Sequence, residues 1–257
     1  MSVSRREIIK IGAGSLLAAS FLNHAAEIGC AMGPLEDKLE SWKKRLGEVS
    51  SQLGKGQISG LQWQEEMDRI YGDTPINDLL KMIQFDDLKE TILKQDLKGR
   101  GEHFLDIAIP GVADAVTDRE PDQVLISKLA YVQKGRNIPP HGHGNMVSAF
   151  LCVAGDFRVQ LFDKIEDNEN EMVVRQTLDE KHAAVGTWSS ISDYKSNVHW
   201  LTANSDNCFL FTCKLIRIEP NRKLNGRINI DLRNPQVLGS DTYRAKKISF
   251  REAAEIY

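Results

Sequence analysis

Residues 135–163 read GRNIPPHGHGNMVSAFLCVAGDFRVQLFD, and this stretch decides the fold that the sequence predicts. Within it, the β-rich runs Val147–Val153 and Phe157–Asp163 are joined by the turn residues Ala-Gly-Asp, which indicates an antiparallel hairpin. Similar runs recur on both sides of the hairpin, from His103 to Leu232. About nine short strands, spaced about a dozen residues apart, predict an antiparallel sandwich or barrel rather than alternating strands and helices.

The same stretch carries residues that indicate metal chemistry. His141 and His143 are two residues apart, so in an extended segment both imidazoles point to one face. Gly142 and Gly144 flank His143, which we interpret as leaving room for a cation and its other ligands. Neutral imidazole binds divalent iron, copper, nickel or zinc. The pair therefore predicts part of a metal site, with two ordinary polar loop histidines as the alternative.

Residues 135–155 resemble the first motif of the cupin superfamily, G-x5-H-x-H-x4-E-x6-G, except that Ser148 replaces the glutamate. A later histidine, His199 in Ser-Asn-Val-His-Trp-Leu-Thr-Ala-Asn, is similar to the third histidine of cupins. The resemblance covers roughly residues 129 to 215. It implies a mainly β fold, the cupin double-stranded β-helix or jelly-roll barrel, and a metal bound by His141, His143 and His199.

The missing glutamate has a physical consequence. Three neutral imidazoles leave a divalent ion with its full charge, whereas a glutamate ligand would halve that charge. Such a site favours an anionic ligand from the substrate, and a thiolate is a natural candidate because a metal drives deprotonation of a coordinated thiol.

Among cupins, the three-histidine set without a carboxylate is similar to that of the thiol dioxygenases. The segments His141-Gly-His-Gly-Asn-Met146 and Asn197-Val-His199 resemble the branch of cysteamine dioxygenase and plant cysteine oxidases most. This resemblance implies Fe(II) as the metal and matches Asp163 to an aspartate of the branch. The chain departs from the branch at Lys214-Leu-Ile-Arg-Ile-Glu, where the branch has Pro-Pro-Tyr.

Three residues are predicted to line a substrate pocket. Ser148 and Phe150 follow the two histidines into the next strand and share one face of it. Asp163 is the third, on the resemblance just described.

The region before the strands, residues 32–100, is predicted to form an α-helical layer. Apolar residues recur there at spacings of three and four and form one stripe on a charged helix: Leu35, Leu39, Trp42, Leu46, Val49 and Leu53. We interpret the stripe as packing against its own domain, with a partner-binding helix as the alternative. Further along, Thr74 is predicted to cap a helix in which Pro75 is the first residue.

Residues 1–31 resemble a twin-arginine (Tat) signal peptide. Arg5 and Arg6 are followed by Lys10 and by the apolar run Ile11–Leu22, which is shorter than the roughly 20 residues that span a bilayer. A cleavage site could lie around Cys30, with lipidation of Cys30 as the alternative. The resemblance implies export by the Tat machinery to the periplasm or outside the cell, a route that carries folded proteins.

Composition limits the remaining possibilities. The chain has 257 residues, 33 Lys and Arg against 36 Asp and Glu, and a net charge of −3. These values describe a globular protein without a stable membrane span, and they give no basic field that predicts binding to nucleic acid. The four cysteines are too few for a disulfide scaffold. Cys208 and Cys213 are predicted to face opposite sides of one strand and so not to bond to each other.

Together these features predict an exported cupin, with residues 101–257 as the cupin domain. The leading hypothesis is a non-haem Fe(II) dioxygenase that oxidises a small thiol to a sulfinate with O2, as a possible homodimer. Manganese, nickel, copper or zinc are alternative metals. Alternative functions are a different metal-dependent cupin, such as a non-thiol dioxygenase, isomerase or hydrolase, and a non-catalytic periplasmic binding protein.

Overall fold

The structure is a computed structural model that describes residues 35–94, 102–106 and 123–257. The predicted signal peptide lies outside these residues. The described part contains four helices, then twelve strands, then a short final helix. The helices are α1 (Leu35–Gly54), α2 (Gly60–Gly72), α3 (Ile76–Met82), α4 (Phe85–Leu93) and α5 (Phe250–Ile256). The strands are β1 (Glu102–Asp106), β2 (Val124–Val132), β3 (Asn137–Gly144), β4 (Met146–Ala154), β5 (Phe157–Asp167), β6 (Glu171–Ala183), β7 (Trp188–Ile191), β8 (Val198–Ala203), β9 (Cys208–Ile216), β10 (Asn225–Ile230), β11 (Gln236–Val237) and β12 (Thr242–Ile248).

The strands form two antiparallel sheets that face each other. Their orders are β1-β2-β9-β4-β7 and β10-β3-β8-β5-β6-β12-β11. Successive strands from β2 to β9 divide between the sheets as β2-β9-β4-β7 and β3-β8-β5-β6, which is the arrangement of an eight-stranded jelly roll. The fold is therefore mainly β, a cupin-like jelly-roll barrel with an N-terminal helical layer, as the sequence predicts. The predicted antiparallel hairpin is wrong, because β4 and β5 lie in different sheets and do not pair with each other.

Two apolar clusters explain why the first sheet is buried on both faces. Alternate residues of β9, such as Cys208 and Leu210, lie in the cluster inside the barrel. The residues between them, such as Phe209 and Phe211, lie in a second cluster with the helices. A strand covered on both sides has no solvent face, so its sequence is almost continuously apolar. Cys213 lies in the second cluster, which confirms that it faces away from Cys208.

The helical layer packs on the outer face of this sheet. Trp42, Leu46, Val49 and Leu53 of the predicted stripe are all buried in the cluster shared with β9. Helix α2 begins at a capping box, in which the Gln62 backbone N–H donates to Ser59 Oγ and the Ser59 N–H donates to Gln62 Oε1. The interpretation of the stripe as core is confirmed for Trp42, Leu46, Val49 and Leu53.

The predicted cap at Thr74 is wrong. Pro75 is the residue that precedes α3, and no side chain caps this helix. The Thr74 hydroxyl instead donates to the carbonyl oxygen of Ile70 at 2.7 Å, so it closes the end of α2. No helix of the described part is both long and apolar enough to cross a membrane.

Candidate metal centre

Three histidines meet inside the barrel because two neighbouring strands carry them in register. His141 and His143 lie on β3, and His199 lies on β8 directly opposite His141. His199 shares its strand face with Leu201 and Ala203, which belong to the interior cluster. The three predicted ligands are therefore brought together on the inner face.

The spacing of the ring nitrogens suits one metal ion. One nitrogen from each histidine lies within 4.8 Å of the others, and the Nε2 atoms of His141 and His199 are 2.9 Å apart. Two imidazole nitrogens bound at right angles to one ion, at about 2.1 Å each, lie roughly 3 Å apart. His141 and His199 thus already have the separation of adjacent ligands.

The hydrogen bonds of these rings leave lone pairs at the centre. His141 Nδ1 lies 2.7 Å from the carbonyl oxygen of Pro139, which assigns the ring proton to Nδ1. His199 Nδ1 faces the carbonyl oxygen of Asn197 at 3.3 Å. The two Nε2 atoms are at hydrogen-bond distance, and when both rings carry their proton on Nδ1, both Nε2 lone pairs are available to one cation. The donor set therefore fits a bound divalent metal.

Burial keeps all three imidazoles neutral. His141, His143 and His199 are each no more than 1% exposed, and burial lowers the pKa of each below its ordinary value. The pKa of His143 falls to about 3, first through burial and then through the positive charges of Lys214 and Arg227. The backbone of Gly226 opposes this shift, although it makes no hydrogen bond of normal geometry with the ring. Neutral imidazole is the form that binds metal.

The side chain of Asn197 fixes the backbone beside His143. Its Nδ2 donates to the carbonyl oxygens of His143 and Ser192, both at 3.1 Å, and its Oδ1 accepts from the His143 N–H at 3.3 Å. A Cβ at Gly142 would lie 2.7 Å from Asn197 Oδ1, and one at Gly144 would lie 3.2 Å from Asn225 Cβ. Neighbouring strands thus occupy the space beside these glycines, and their interpretation as room for a cation is wrong.

A buried asparagine turns the chain from β3 into β4. Asn145 has a left-handed backbone, with φ of 62°, and is fully buried. Its Nδ2 donates to the carbonyl oxygens of Glu219 and Arg222, and its Oδ1 accepts from the Glu219 N–H. The turn links the strand of His141 and His143 to that of Ser148. We did not predict this role, although an Asn between two strands is a known signal for a left-handed turn.

The predicted pocket residues occupy three different positions. Ser148 is buried, and its hydroxyl contacts the carbonyl oxygen of Cys213 at 3.5 Å. Phe150 is 1% exposed and packs in the interior cluster. Asp163 accepts from the Ser196 N–H at 2.8 Å and lies 3.5 Å from the Arg175 guanidinium, so it holds the loop that leads to Asn197. Their roles toward a substrate stay predictions.

Two basic residues near the histidines were missed by the sequence reasoning. Lys214 of β9 is 3% exposed and lies opposite Ser148 in register. Arg227 of β10 donates from Nε to Asn229 Oδ1 at 2.8 Å, and Asn229 is paired with His141. The charge of Arg227 contributes to lowering the pKa of all three histidines. The sequence signal for Lys214 was a single charge in an otherwise apolar strand.

Comparison with known proteins finds only partial matches among solved structures. No protein-family model and no curated protein matches the sequence. Among solved structures, half of the chain (51%) matches 28% of an 11S globulin from Wrightia tinctoria, with 16% identity and a TM-score of 0.34. A vicilin from hazelnut, Corylus avellana, shares 11% identity over 50% of this chain and 31% of its own, with a TM-score of 0.34. KdgF from a Halomonas species shares 19% identity over 50% of this chain and 86% of its own, with a TM-score of 0.29.

The chain spans only about three tenths of the length of the two plant proteins it matches. The fold of this chain is therefore assigned from its own sheet topology and from the geometry of its histidines. The protein has a cupin-like fold in which a buried group of three histidines could bind a metal ion.

Proposed function

We propose that this protein is a non-haem Fe(II) dioxygenase that oxidises a small thiol to a sulfinate. The observation that carries the proposal is the cluster of three buried, neutral histidines, in which Ser148 stands where cupins have a ligand carboxylate. An ion held by three neutral ligands keeps its full positive charge, and an anionic thiolate offsets it.

Each residue of the site has a defined task. His141, His143 and His199 would hold the ion, and Asn197 keeps His143 in place through its backbone. Fe(II), when bound, would supply a Lewis acid that lowers the pKa of a thiol, and an electron donor for dioxygen. The apolar interior cluster around Phe150 excludes water from the site. The reaction adds both oxygen atoms of O2 to one thiol and yields one sulfinic acid.

The test is oxygen consumption by the iron-loaded protein. The full chain is loaded with Fe(II) without oxygen and then supplied with oxygen and cysteine, cysteamine or 3-mercaptopropionate in an oxygen electrode. We expect consumption of about one O2 per thiol, with the sulfinate identified by mass spectrometry. The same protein loaded with Zn(II) is the control, because zinc has no redox chemistry.

The outcomes separate the alternatives. Bound iron without oxygen consumption with any of the three thiols would show that the thiol dioxygenase proposal is wrong while the metal site stands. Failure to bind iron, manganese, nickel, copper or zinc would reject the metal-dependent enzyme as well, and would leave the non-catalytic binding protein.

We further propose that the protein is exported by the twin-arginine route, on the strength of Arg5, Arg6 and the apolar run that follows them.

A further inference from the structure

In the folded protein, the three histidines are closed off from solvent. Each of them is at most 1% exposed, so neither a metal ion nor a substrate reaches them unless part of the barrel opens. A buried metal site therefore needs an entry path. Strand β3 has β8 on one side, where His199 lies, and β10 on the other. The β10 side has the features of an entry path.

The pairing of β10 with β3 is interrupted at His143. The register shifts between Asn225 and Ile228, so that two residues of β10, Gly226 and Arg227, stand opposite the single residue His143. A bulge of this kind disrupts the ladder of backbone hydrogen bonds. Gly226 and Arg227 are both only partly buried. The strand beside His143 is thus weakly paired at this point and in contact with solvent.

The loop between β9 and β10, residues 217–224, leads directly into this bulge. It lies over the turn from β3 into β4, because the Asn145 side chain binds the backbone of Glu219 and of Arg222. Residues 220–223 are exposed. The β9–β10 loop is therefore a surface segment that covers the turn next to His143, and a movement of the loop would be passed on to the bulge.

One ion pair fastens the β9–β10 loop to a different part of the barrel. Arg222 Nη1 lies 2.7 Å from Asp193 Oδ2, and Asp193 belongs to the connection between β7 and β8. The Asp193 side chain is 2% exposed, whereas that of Arg222 is 38% exposed, so the arginine can leave for water while the carboxylate stays buried. A buried charge without its partner is costly, so the ion pair favours the closed loop. Arg222 also pairs with Glu219, but both residues lie on the loop and can move together.

We propose that the β9–β10 loop is a gate over the metal centre and that the Asp193–Arg222 ion pair is the latch of this gate. Release of Arg222 lets the loop and the Gly226 bulge move away from His143, and metal ions and substrates enter there. The inference goes beyond the proposed function, because it needs the metal site but not the oxidation of a thiol. The same opening precedes entry and exit, so the latch controls the rate of metal exchange rather than the affinity.

Metal exchange tests the gate, with Co(II) as the probe. The full chain is mixed with Co(II) in a stopped-flow instrument and uptake is followed by absorbance, and release is followed after addition of excess EDTA. We expect Arg222→Met to accelerate uptake and release about 10- to 100-fold, the effect of losing one hydrogen bond to a charged group. The dissociation constant should change by less than about threefold, because both rates rise together.

A second variant and a control make this result specific to the latch. Arg222→Met leaves the buried carboxylate of Asp193 without its partner, whereas the double variant Asp193→Asn, Arg222→Met removes both charges and preserves the fold. It should show the same acceleration, because the latch is absent in both. Arg158→Met is the matched control. Arg158 is likewise 38% exposed, and its ion pair with Asp179 joins β5 to β6, so we expect unchanged rates.

Hydrogen exchange in the metal-free protein gives an independent measurement. The Glu219 N–H donates to Asn145 Oδ1, so it is protected while the loop is closed. We expect its exchange, measured by mass spectrometry, to be faster in Arg222→Met and unchanged in Arg158→Met. Melting temperatures establish that each variant is folded.

The outcomes separate the gate from other roles of the ion pair. Unchanged rates of Co(II) exchange in the folded double variant would overturn the proposal. A weaker affinity with an unchanged uptake rate would also overturn it, because the ion pair would then maintain the shape of the site instead of its access. Failure of the unmodified protein to bind Co(II) would overturn the gate together with the metal site. Faster Co(II) exchange without any thiol oxidation would support the gate and reject the proposed function.

Discussion

At the scale of single residues, the site is defined by the directions of the imidazole lone pairs and by the charges near them. His141 and His199 face each other through Nε2 at 2.9 Å, and both rings have backbone carbonyl oxygens at Nδ1. Carbonyl partners of this kind fix the orientation of metal-binding imidazoles. The rings are neutral because they are buried, so they can bind a cation without first losing a proton.

We predict that His199→Ala removes the metal. Loss of one of three ligands should weaken Fe(II) or Co(II) binding by more than about 100-fold, beyond the usual effect of losing an outer partner of a ligand. Competition with a chromogenic chelator measures this affinity. His182→Ala is the control, because His182 bonds to Asp156 and its side chain is 79% exposed. If His199→Ala kept the affinity of the unmodified protein, His199 would not be a ligand.

The position of Ser148 allows a test of charge at constant size, because glutamate and glutamine placed there have almost the same volume. We predict that Ser148→Glu keeps or strengthens metal binding and suppresses oxygen consumption with 3-mercaptopropionate. The new carboxylate would stand where cupins have a ligand glutamate and would compete with an anionic substrate for the bound metal.

Ser148→Gln has almost the same volume as Ser148→Glu and no charge, so it is the control for the oxygen electrode measurement. We expect it to retain more activity than Ser148→Glu. Equal suppression by both variants would mean that size at this position matters and charge does not.

At the scale of elements, the pairing of β3 with β8 creates the site. The register places His141 opposite His199, and Asn197 bridges from the start of β8 to the backbone of His143. Asp163 extends this support, because it binds the Ser196 N–H just before β8.

We predict that Asn197→Ala weakens metal binding about 10- to 100-fold through loss of this support. It should also lower stability by about 1–3 kcal/mol, because the buried backbone groups of His143 lose their partner. Thermal unfolding followed by circular dichroism and chelator competition measure the two effects. Asn204→Ala is the control, since Asn204 also donates to a backbone carbonyl oxygen, that of Lys181, away from the histidines. An equal loss of metal affinity in both variants would contradict the support role of Asn197.

Local patterns predicted the elements better than their pairing. Alternation and turn residues were sufficient for the strands β4 and β5 but not for their partners, because β4 pairs with β9 and β7 in one sheet and β5 pairs with β8 and β6 in the other. The spacing of His141 and His143 was sufficient for two of the three histidines. β12 and α5 were missed because β12 carries charges at several positions, and α5 has only seven residues. The Ser249–Glu252 capping box was a readable signal for α5. Lys214 could not be placed, because its proximity to Ser148 depends on a register between distant strands.

At the scale of the whole molecule, the helical layer and the barrel share one core. The Trp42 and Phe211 rings are 6.3 Å apart, and Phe85 meets Phe209 edge-on at 5.5 Å. The buried Gln64 amide donates to the carbonyl oxygen of Ser190 on β7 at 2.8 Å. Without the helices, β9 would expose a row of aromatic side chains to water.

We predict that Trp63→Ala lowers the stability of the barrel as well as of the layer. Trp63 is fully buried in the shared cluster, so its truncation should cost about 3–5 kcal/mol. The melting temperature should fall by roughly 2–4 °C for each kcal/mol of lost stability. The circular dichroism signals of the strands and of the helices should be lost in a single transition. Leu61→Ala on the same helix is the control, because Leu61 is 42% exposed. Two separate transitions would show that the layer unfolds independently.

The export that we propose would determine where in the cell the protein binds its metal. The twin-arginine route carries folded proteins, so a protein that uses it folds around its metal in the cytoplasm, where Fe(II) and thiols stay reduced. We predict that replacing Arg5 and Arg6 together by Lys leaves the protein in the cytoplasm, folded and with metal bound. Fractionation with metal analysis measures both location and occupancy.

The control for this experiment is Lys44→Arg and Lys55→Arg, a conservative exchange of basic residues outside the signal region, which should not change location. Continued export of the Arg5→Lys, Arg6→Lys protein would contradict use of the twin-arginine route. In that case the chain would fold after crossing the membrane, and the histidines would meet whichever divalent metal that compartment supplies. Because three imidazoles bind Cu(II) and Zn(II) more tightly than Fe(II), the choice of iron depends on where folding occurs.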